Sequence, residues 1–400
     1  MTEKVPNHPP RRAFRRASLS RPIVIGACLT AHLSLAASAP AGNSAAGNLF
    51  LPPSAFRPAL AGYTYRFPYD HGSHDEFRTE WWYYTGHLST AQGRRFGYQL
   101  TFFRRGVEQP SAQSNPSRWA MRHLYLAHLV LSDQDRSRFR YAEKVSRAGI
   151  GKAGAETGRL HVWIDRWSAD APASDRERQH LRASAEDFSL DLTVTPEKPP
   201  IIHGKAGVSR KGQALEQASH YYSLTRLATT GTLAVEGEIM KVAGTSWMDH
   251  EFGSGDLRSD QVGWDWFSFQ LDNRTELMFY RLRRADGTAD PASSGTLILP
   301  DGRSQHLLLS DVRIAPLDHW TSGASGARYP SRWRFSVPTA GLILDVTPGL
   351  LNQELITKRS TQVTYWEGAV AIAGTLREAP ITGLGYVELT GYAERFRQKL

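Results

Sequence analysis

The 400-residue chain is too long for one ordinary hydrophobic core, so two domains are expected. Its 11 Trp, 15 Tyr and 16 Phe are a heavy aromatic load, typical of pleated strands and large apolar pockets. More than half of the formal charge of +9 lies in the first 39 residues. No dense basic stripe remains to bind phosphates, which argues against a nucleic-acid partner.

Residues 1–39 resemble an export signal. Arg11 and Arg12, with an aromatic residue two places after the pair, open a twin-arginine-like motif. An apolar stretch and an Ala-Ser-Ala cleavage sequence follow. We therefore expect a periplasmic or secreted protein in which residues 40–60, rich in Ala, Gly and Pro, form a flexible lead-in.

The single cysteine, Cys28, lies inside this leader. The sequence Ile-Gly-Ala-Cys also resembles a lipoprotein processing box, which would leave Cys28 as an acylated membrane anchor. Cleavage after Ala39 would instead give a mature chain without cysteine. Disulfides, a thiolate nucleophile and a cysteine-based zinc site would then be excluded.

From Glu80 onward the side chains alternate mostly with a period of two, which predicts strands. Residues 81–88 and 96–103 flank a short Ala-Gln-Gly loop and predict a hairpin. Further strands are predicted in the first half of the chain at residues 123–131, 138–145, 161–167, 180–185 and 188–194.

The second half repeats this pattern. Asp-Asn and Asp-Gly pairs, which tolerate the positive φ of tight turns, predict two hairpins, and no long segment has helical periodicity. Many short antiparallel strands hide their edges by closing into a barrel or packing as a sandwich. The chain is therefore predicted to be all-β, with two tandem antiparallel domains over 61–250 and 251–400. The predicted strands of the second half are 265–271, 276–283, 295–299, 304–309, 333–337, 342–346, 364–373 and 385–392.

A cluster of histidines and carboxylates precedes the first strong strand. Such residues at close spacing can bind a metal, but no ligand-presenting helix frames them. A hydrogen-bonded structural loop is the favoured interpretation, and no metal or cofactor is expected. Among these residues Glu80 stands beside four aromatic residues, so it should be paired, with Arg78 or Arg104, or have a raised pKa. The cluster consists of His71, His74, Asp75, Glu76 and Glu80.

The densest polar and aromatic stretches are 219–223 and 246–251. Alternation puts His220 and Tyr222 on one face of their strand, and Trp247 and Asp249 on one face of theirs. If the two strands are neighbours, one pocket wall carries an imidazole, a carboxyl group and two aromatic rings. Such a wall suits a general acid, with aromatic rings that would cover and stabilise a cation. An Asp–His pair that locks two strands at a domain junction explains the spacing equally well.

Three further carboxylates are flanked by aromatic residues: Asp265, Glu367 and Glu388. Barrel packing with capped acidic groups is the favoured interpretation for all three. The sequence contains no Gly-rich phosphate loop, no GxSxG elbow and no nucleotide fingerprint.

Taken together, these motifs resemble the AttH-like branch of the carotenoid 1,2-hydratase (hydroxyneurosporene synthase) family. The resemblance runs from about residue 60 to the C-terminus and implies tandem lipocalin-like (calycin) domains. It also implies water addition, or other acid-driven chemistry, on an isoprenoid or similar hydrophobic substrate. The motifs are His74-Asp75-Glu76, Glu80-Trp81-Trp82-Tyr83, Gly97-Tyr98-Gln99, Phe103-Arg104, His220-Tyr221-Tyr222-Ser223, Trp247-Met248-Asp249-His250-Glu251, Trp264-Asp265-Trp266, Tyr365-Trp366-Glu367-Gly368 and Tyr386-Val387-Glu388-Leu389-Thr390-Gly391-Tyr392.

The resemblance also assigns roles to residues. By the His-x-aromatic and aromatic-x-Asp pattern, Asp249 takes the place of the catalytic Asp of the hydratases, and His220 that of their His. Tyr222 stands where those hydratases carry Trp, and Trp247 where they carry Tyr, so carotenoid specificity does not follow. The residues expected to contact the substrate are Glu80, Trp82, Tyr84, His250, Trp264 and Trp266.

The expected function is an exported hydratase- or lyase-like protein that acts by acid catalysis on a hydrophobic isoprenoid or lipid-like substrate. Asp249 would hold its proton because apolar burial raises its pKa, and His220 would orient it or position water. The alternative is a non-catalytic lipocalin-like carrier that works with an ABC-type membrane transporter. A hydrolase built on residues 249–251 would lack a nucleophile elbow and metal ligands.

Overall fold

A computed structural model describes residues 56–107, 121–149 and 151–397. The predicted export signal, Cys28 and most of the predicted lead-in lie outside the described residues. None of the helices within the described ranges has the length and apolar character needed to cross a membrane. These helices are single 3-10 turns, at Tyr69–His71, Leu309–Asp311 and Pro338–Ala340.

The first sheet is antiparallel and curls into a nearly closed barrel. Its order is β4-β3-β2-β1-β13-β12-β9-β8-β7-β6-β5, and β10 and β11 also pair with β12. The strands are β1 Thr79–Ser89, β2 Arg95–Gly106, β3 His123–Asp133, β4 Arg138–Arg147, β5 Ala153–Ala155, β6 His161–Ile164, β7 Trp167–Asp170, β8 Gln179–Ser184, β9 Phe188–Pro196, β10 Ile201–Ile202, β11 Ser209–Arg210, β12 Ala218–Val235 and β13 Glu238–Gly253.

The second sheet is also antiparallel and forms a half-barrel. Its order is β17-β16-β15-β14-β23-β22-β20-β19-β18, and β21 pairs with β22. The strands are β14 Gln261–Leu271, β15 Glu276–Arg284, β16 Ser294–Ile298, β17 Ser304–Leu308, β18 Arg313–Thr321, β19 Arg328–Val337, β20 Leu342–Pro348, β21 Glu354–Ile356, β22 Thr364–Leu376 and β23 Ala379–Thr390.

The two sheets confirm the predicted all-β, lipocalin-like, two-domain fold. The predicted first hairpin is present as β1 and β2, and Gly93 supplies the positive φ of its turn. The strand predicted at 161–167 is wrong, because β6 and β7 form a hairpin of their own. Asp165, at φ +53°, turns the chain between them without a glycine. The predicted domain boundary after residue 250 falls inside β13.

Each sheet encloses its own apolar core, and a third apolar cluster lies between the sheets. In the second core Phe267, Phe269 and Phe335 are fully buried and pack edge to face. Each such side chain stabilises the fold by about 1.5–3 kcal/mol. The third cluster brings aromatic and apolar side chains of both sheets together, so a ligand site can form between the sheets.

Candidate active site

The residues of β13 alternate between the first core and the space between the sheets. Asp249 lies opposite Tyr83 of β1 and opposite Ser223 of β12, and directly opposed residues share a face. This face points toward the second sheet, since the ring of Tyr83 packs 5.5 Å from that of Trp266. Asp249 therefore lies between the two sheets and outside both cores.

A cavity of about 240 Å³ opens between the sheets beside Asp249. Both sheets contribute aromatic rings to its wall, so a hydrophobic ligand would contact ring faces on two sides. The aromatic lining residues are Trp81, Tyr83, Phe103, Tyr221, Trp264, Trp266, Tyr280, Tyr365 and Phe396.

Asp249 is buried in this wall, with 3% of its surface exposed. The hydroxyl of Tyr221 donates to its Oδ2 at 2.8 Å, and the indole of Trp247 donates to its Oδ1 at 2.7 Å. The hydroxyl of Ser223 also donates to Oδ1. Burial raises the pKa of the Asp249 carboxyl group to about 7, although these three donors favour its charged form. Asp249 can therefore hold a proton near neutral pH.

A buried imidazole reaches Asp249 through Ser223, and it belongs to His203. The Nε2 of His203 lies 2.7 Å from the Ser223 hydroxyl, and its Nδ1 lies 2.8 Å from the hydroxyl of Thr296 on β16. Burial, with a contribution from Lys211, lowers the pKa of His203 to about 3, so the ring is neutral. It can fix the direction of the Ser223 hydrogen bond without itself carrying charge.

The sequence model of the AttH-like family matches residues 58–392. The chain belongs to the AttH-like family. No curated protein matches the sequence at a significant level.

Solved structures resemble the AttH-like protein over most of its length. A crystal structure described as an AttH from Nitrosomonas europaea is 35% identical, covers 84% of this chain and 100% of its own, and has a TM-score of 0.75. Kievitone hydratase from Nectria haematococca is 15% identical, with 85% and 98% covered and a TM-score of 0.64. CghA with Sch210972 is 14% identical, with 80% and 90% covered and a TM-score of 0.52. At the two lower identities the likeness is one of fold.

The AttH-like protein does not bring His220 to Asp249. His220 lies opposite Phe252 on the other face of β12, and its Nδ1 donates to the Gly207 carbonyl at 2.9 Å. The predicted His220–Asp249 pairing is therefore wrong. The predicted alternation within each strand is present, but the register places Ser223 opposite Asp249 and so sends the two residues to opposite faces.

The other two catalytic candidates also divide between the faces. Trp247 shares a face with Asp249 and donates to it. Tyr222 points into the first barrel, where its hydroxyl lies 2.9 Å from Nδ1 of His250. Its neighbour Tyr221 occupies the position beside Asp249 that was predicted for Tyr222.

The predicted substrate-contacting residues are split in the same way. Trp264 and Trp266 line the cavity. The other four lie in the interior of the first barrel, because their positions on β1 and β13 have the opposite parity to Tyr83 and Asp249. Those four are Glu80, Trp82, Tyr84 and His250.

Glu80 is the centre of a buried charged network in that interior. Arg104 is its ionic partner, with Nε donating to Oε2 at 3.0 Å. Nδ1 of His74 and Nε2 of His250 each donate to Oε1 at 2.8 Å. Arg104 and the two imidazoles hold the pKa of Glu80 well below its usual range despite burial. The charge of Glu80 is therefore paired with Arg104 and His74, whereas burial lowers the pKa of His250, which adds a hydrogen bond without a charge.

His74, Glu80 and His250 also form the arrangement that could hold a metal ion, with ligand atoms within 4.8 Å of one another. The N–O distances of 2.8 Å are hydrogen-bond lengths. A divalent cation would place its charge beside the Arg104 guanidinium, which already neutralises Glu80. The geometry fits the predicted hydrogen-bonded structural cluster.

Because His74 is charged, the AttH-like protein should lose stability as the pH rises into the alkaline range. Burial lowers the pKa of His74, but the Asp70 carboxylate, 3.5 Å from its Nε2, and the hydrogen-bonded Glu80 outweigh burial and raise the pKa from 6.5 to about 9. This contribution is complete below pH 6.5 and is lost as the pH rises through 9. We expect the free energy of unfolding to fall by roughly 3 kcal/mol across that range.

Urea unfolding of wild type and His74→Gln between pH 6.5 and 9.5 measures this loss. The variant should start less stable and change less with pH, since its side chain does not titrate. The difference between the two proteins isolates His74, because their other titrating groups are the same. Parallel pH profiles would contradict a charged His74.

The carboxylates of the second sheet differ in how they are capped. Asp265 accepts hydrogen bonds from Arg281, Arg283 and Tyr392, as predicted for a capped acid. Glu367 has no hydrogen-bond partner for either oxygen among the described residues. The prediction of a capped acid is therefore wrong for Glu367.

Proposed function

We propose that this AttH-like protein is a hydro-lyase that adds water to, or removes it from, a hydrophobic substrate with an isoprenoid-like alkene. The observation that carries the proposal is Asp249, a carboxyl group that keeps a proton near neutral pH in the wall of an aromatic cavity. A carrier needs the cavity but has no need of a buried acid. The fold shared with a protein named as a hydratase supports the proposal.

The chemistry begins with proton transfer to carbon. Asp249 gives its proton to the less substituted carbon of the alkene, the π bond breaks, and a tertiary cation forms on the neighbouring carbon. The resulting carboxylate is stabilised by hydrogen bonds from Tyr221, Ser223 and Trp247. Water then forms the new C–O bond and releases a proton. The same steps in reverse are dehydration.

The aromatic wall suits the cationic intermediate. The rings of Tyr83, Tyr221 and Trp266 lie on the cavity wall that includes Asp249 or directly across from it. An aromatic face stabilises a desolvated cation by about 2 kcal/mol. The cavity therefore offers a proton and a place where the resulting charge is tolerated.

Heavy-oxygen water tests the proposed function. The full-length protein is incubated with geraniol, farnesol or lycopene in labelled water, and the masses of the products are measured by mass spectrometry. Labelled tertiary alcohol is the expected product. Ligand that binds but is recovered unchanged from every incubation would contradict the hydro-lyase and favour the carrier.

Because the acid must be protonated, the rate should fall as the pH rises through about 7. Tyr221→Phe removes a donor that stabilises the Asp249 carboxylate, so its pKa should rise and the falling limb of the pH–rate profile should move to higher pH. Tyr280→Phe is the matched control, since Tyr280 lines the cavity but bonds to Ser209 and Arg210. A limb that moves to lower pH in Tyr221→Phe, or equally in both variants, would contradict this role of Asp249.

A further inference from the structure

Two glutamates face each other on the second wall of the cavity. Glu367 of β22 is directly opposite Glu388 of β23 in the antiparallel ladder, and both line the cavity. Opposed residues of this kind have Cβ atoms about 4.5–5.5 Å apart, where two negative charges repel. The pair is therefore more stable with one proton between its two carboxyl groups than with none.

Glu367 is the unusual member of the pair. It is 1% exposed, and neither of its oxygens has a hydrogen-bond partner among the described residues. Glu388 accepts one hydrogen bond, from the indole of Trp264 at 2.9 Å. A buried carboxyl group without a hydrogen-bond partner lowers the stability of the fold. Asp265, which is equally buried, accepts from three donors. Glu367 therefore lacks a donor from the protein unless it shares a proton with Glu388, and water or a ligand group in the cavity can fill its remaining hydrogen-bond positions.

We propose that Glu367 and Glu388 are the base of the reaction: they share a proton and hold the water that adds to the cation. The proposal rests on the proposed function and extends it. The acid then comes from the first sheet and the base from the second, with the substrate between them. This division explains why the cavity is built where the two sheets meet.

The proton balance of the step is complete without another reactant. Asp249 loses a proton to carbon, and the alkene π electrons form the C–H bond. The water oxygen forms the C–O bond with the cation and passes one proton to the ionised member of the pair. A proton then returns from the pair to Asp249 through water in the cavity, and no group is oxidised or reduced.

The acidity of the two groups agrees with this assignment. Burial and the neighbouring Glu388 raise the pKa of Glu367 well above its usual range. Burial raises the pKa of Glu388 to about 7, although the Trp264 hydrogen bond acts in the other direction. At neutral pH Glu367 therefore keeps its proton, and Glu388 is the member able to accept one.

Two isotopes separate the acid step from the water step. The solvent is water that carries both deuterium and heavy oxygen. Deuterium enters the substrate when Asp249 transfers a deuteron to the alkene carbon. The cation then loses a proton from an adjacent methyl group to Asp249, which forms an alkene again. Heavy oxygen enters only when water is captured. We expect Glu388→Gln to lower heavy-oxygen incorporation into geraniol by about 10²–10⁴-fold. Deuterium incorporation should stay near the wild-type rate, and Glu378→Gln, an exposed change on the same hairpin, should alter neither.

Loss of both isotopes in proportion in Glu388→Gln, or of neither, would overturn the role of the pair and leave the proposed function standing. Absence of both isotopes with the wild-type protein would overturn the proposed function and this role with it. Infrared titration of the protonated carboxyl band checks the shared proton even if one variant folds poorly. The titration is run in an Asp249→Asn background, because Asp249 also titrates near pH 7. In that background a component near pH 7 should be lost when Glu388→Gln is added, and its persistence there would contradict the pair.

Discussion

Replacing Asp249 with asparagine is expected to lower the rate of hydration by about 10²–10⁴-fold or more, because the amide cannot give a proton to carbon. The substitution keeps the shape of the side chain and its ability to accept from Trp247 and Ser223. Ligand affinity, measured by quenching of tryptophan fluorescence from the cavity wall, should therefore change little. The melting temperature should stay close to that of wild type.

His220→Gln is the informative control for this experiment. The resemblance to the hydratases gives His220 a catalytic role, whereas the structure places it on the opposite face of β12 from Asp249. We expect the variant to work near the wild-type rate. An inactive His220→Gln variant that is fully folded, or an active Asp249→Asn variant, would contradict the assignment of the site.

Among the proposed substitutions, Arg104→Met is expected to lower the free energy of unfolding most. Arg104 is fully buried and donates to Glu80, to the His74 carbonyl and to the Phe77 carbonyl. Its removal leaves the Glu80 carboxylate without its principal counter-charge and takes one donor from each of the two carbonyls. Breaking a buried ion pair on one side costs about 3–5 kcal/mol, which denaturant unfolding would measure as a lower midpoint.

Arg95→Met provides the matched control on the same strand. Arg95 pairs with Asp135 at the surface, where the two side chains are 63% and 36% exposed. Exposed pairs of this kind contribute about 0–1 kcal/mol. Equal losses in the two variants would show that the Glu80 network does not stabilise the barrel through its paired charges.

The fold could be predicted from the sequence because the period of two is a local signal. Alternation identified the first hairpin, and it correctly placed Trp247 beside Asp249 and His220 beside Tyr222 within their own strands. The missed turn at Asp165 shows the limit of this signal. A positive φ at an aspartate gives no mark as strong as a glycine or an Asn-Gly pair.

The composition of the site was harder to predict because it depends on register. In the observed register Tyr221 and Ser223 lie beside Asp249. A shift of one residue between β12 and β13 would place His220 and Tyr222 there instead. No local sequence pattern decides between the two registers. The link from Asp249 to His203 runs through Ser223 and joins residues far apart in the chain. Only the folded sheets bring them together.

The most direct measurement is the titration of Asp249 itself. Carbon-13 NMR of labelled aspartate carboxyl groups, with Asp249→Asn to identify the resonance, gives its midpoint in the resting protein. We expect a midpoint near pH 7, because burial raises the pKa of Asp249 to about that value. A midpoint near 3.8, the ordinary value for aspartate, would contradict the central claim that the cavity holds an acid ready to protonate carbon.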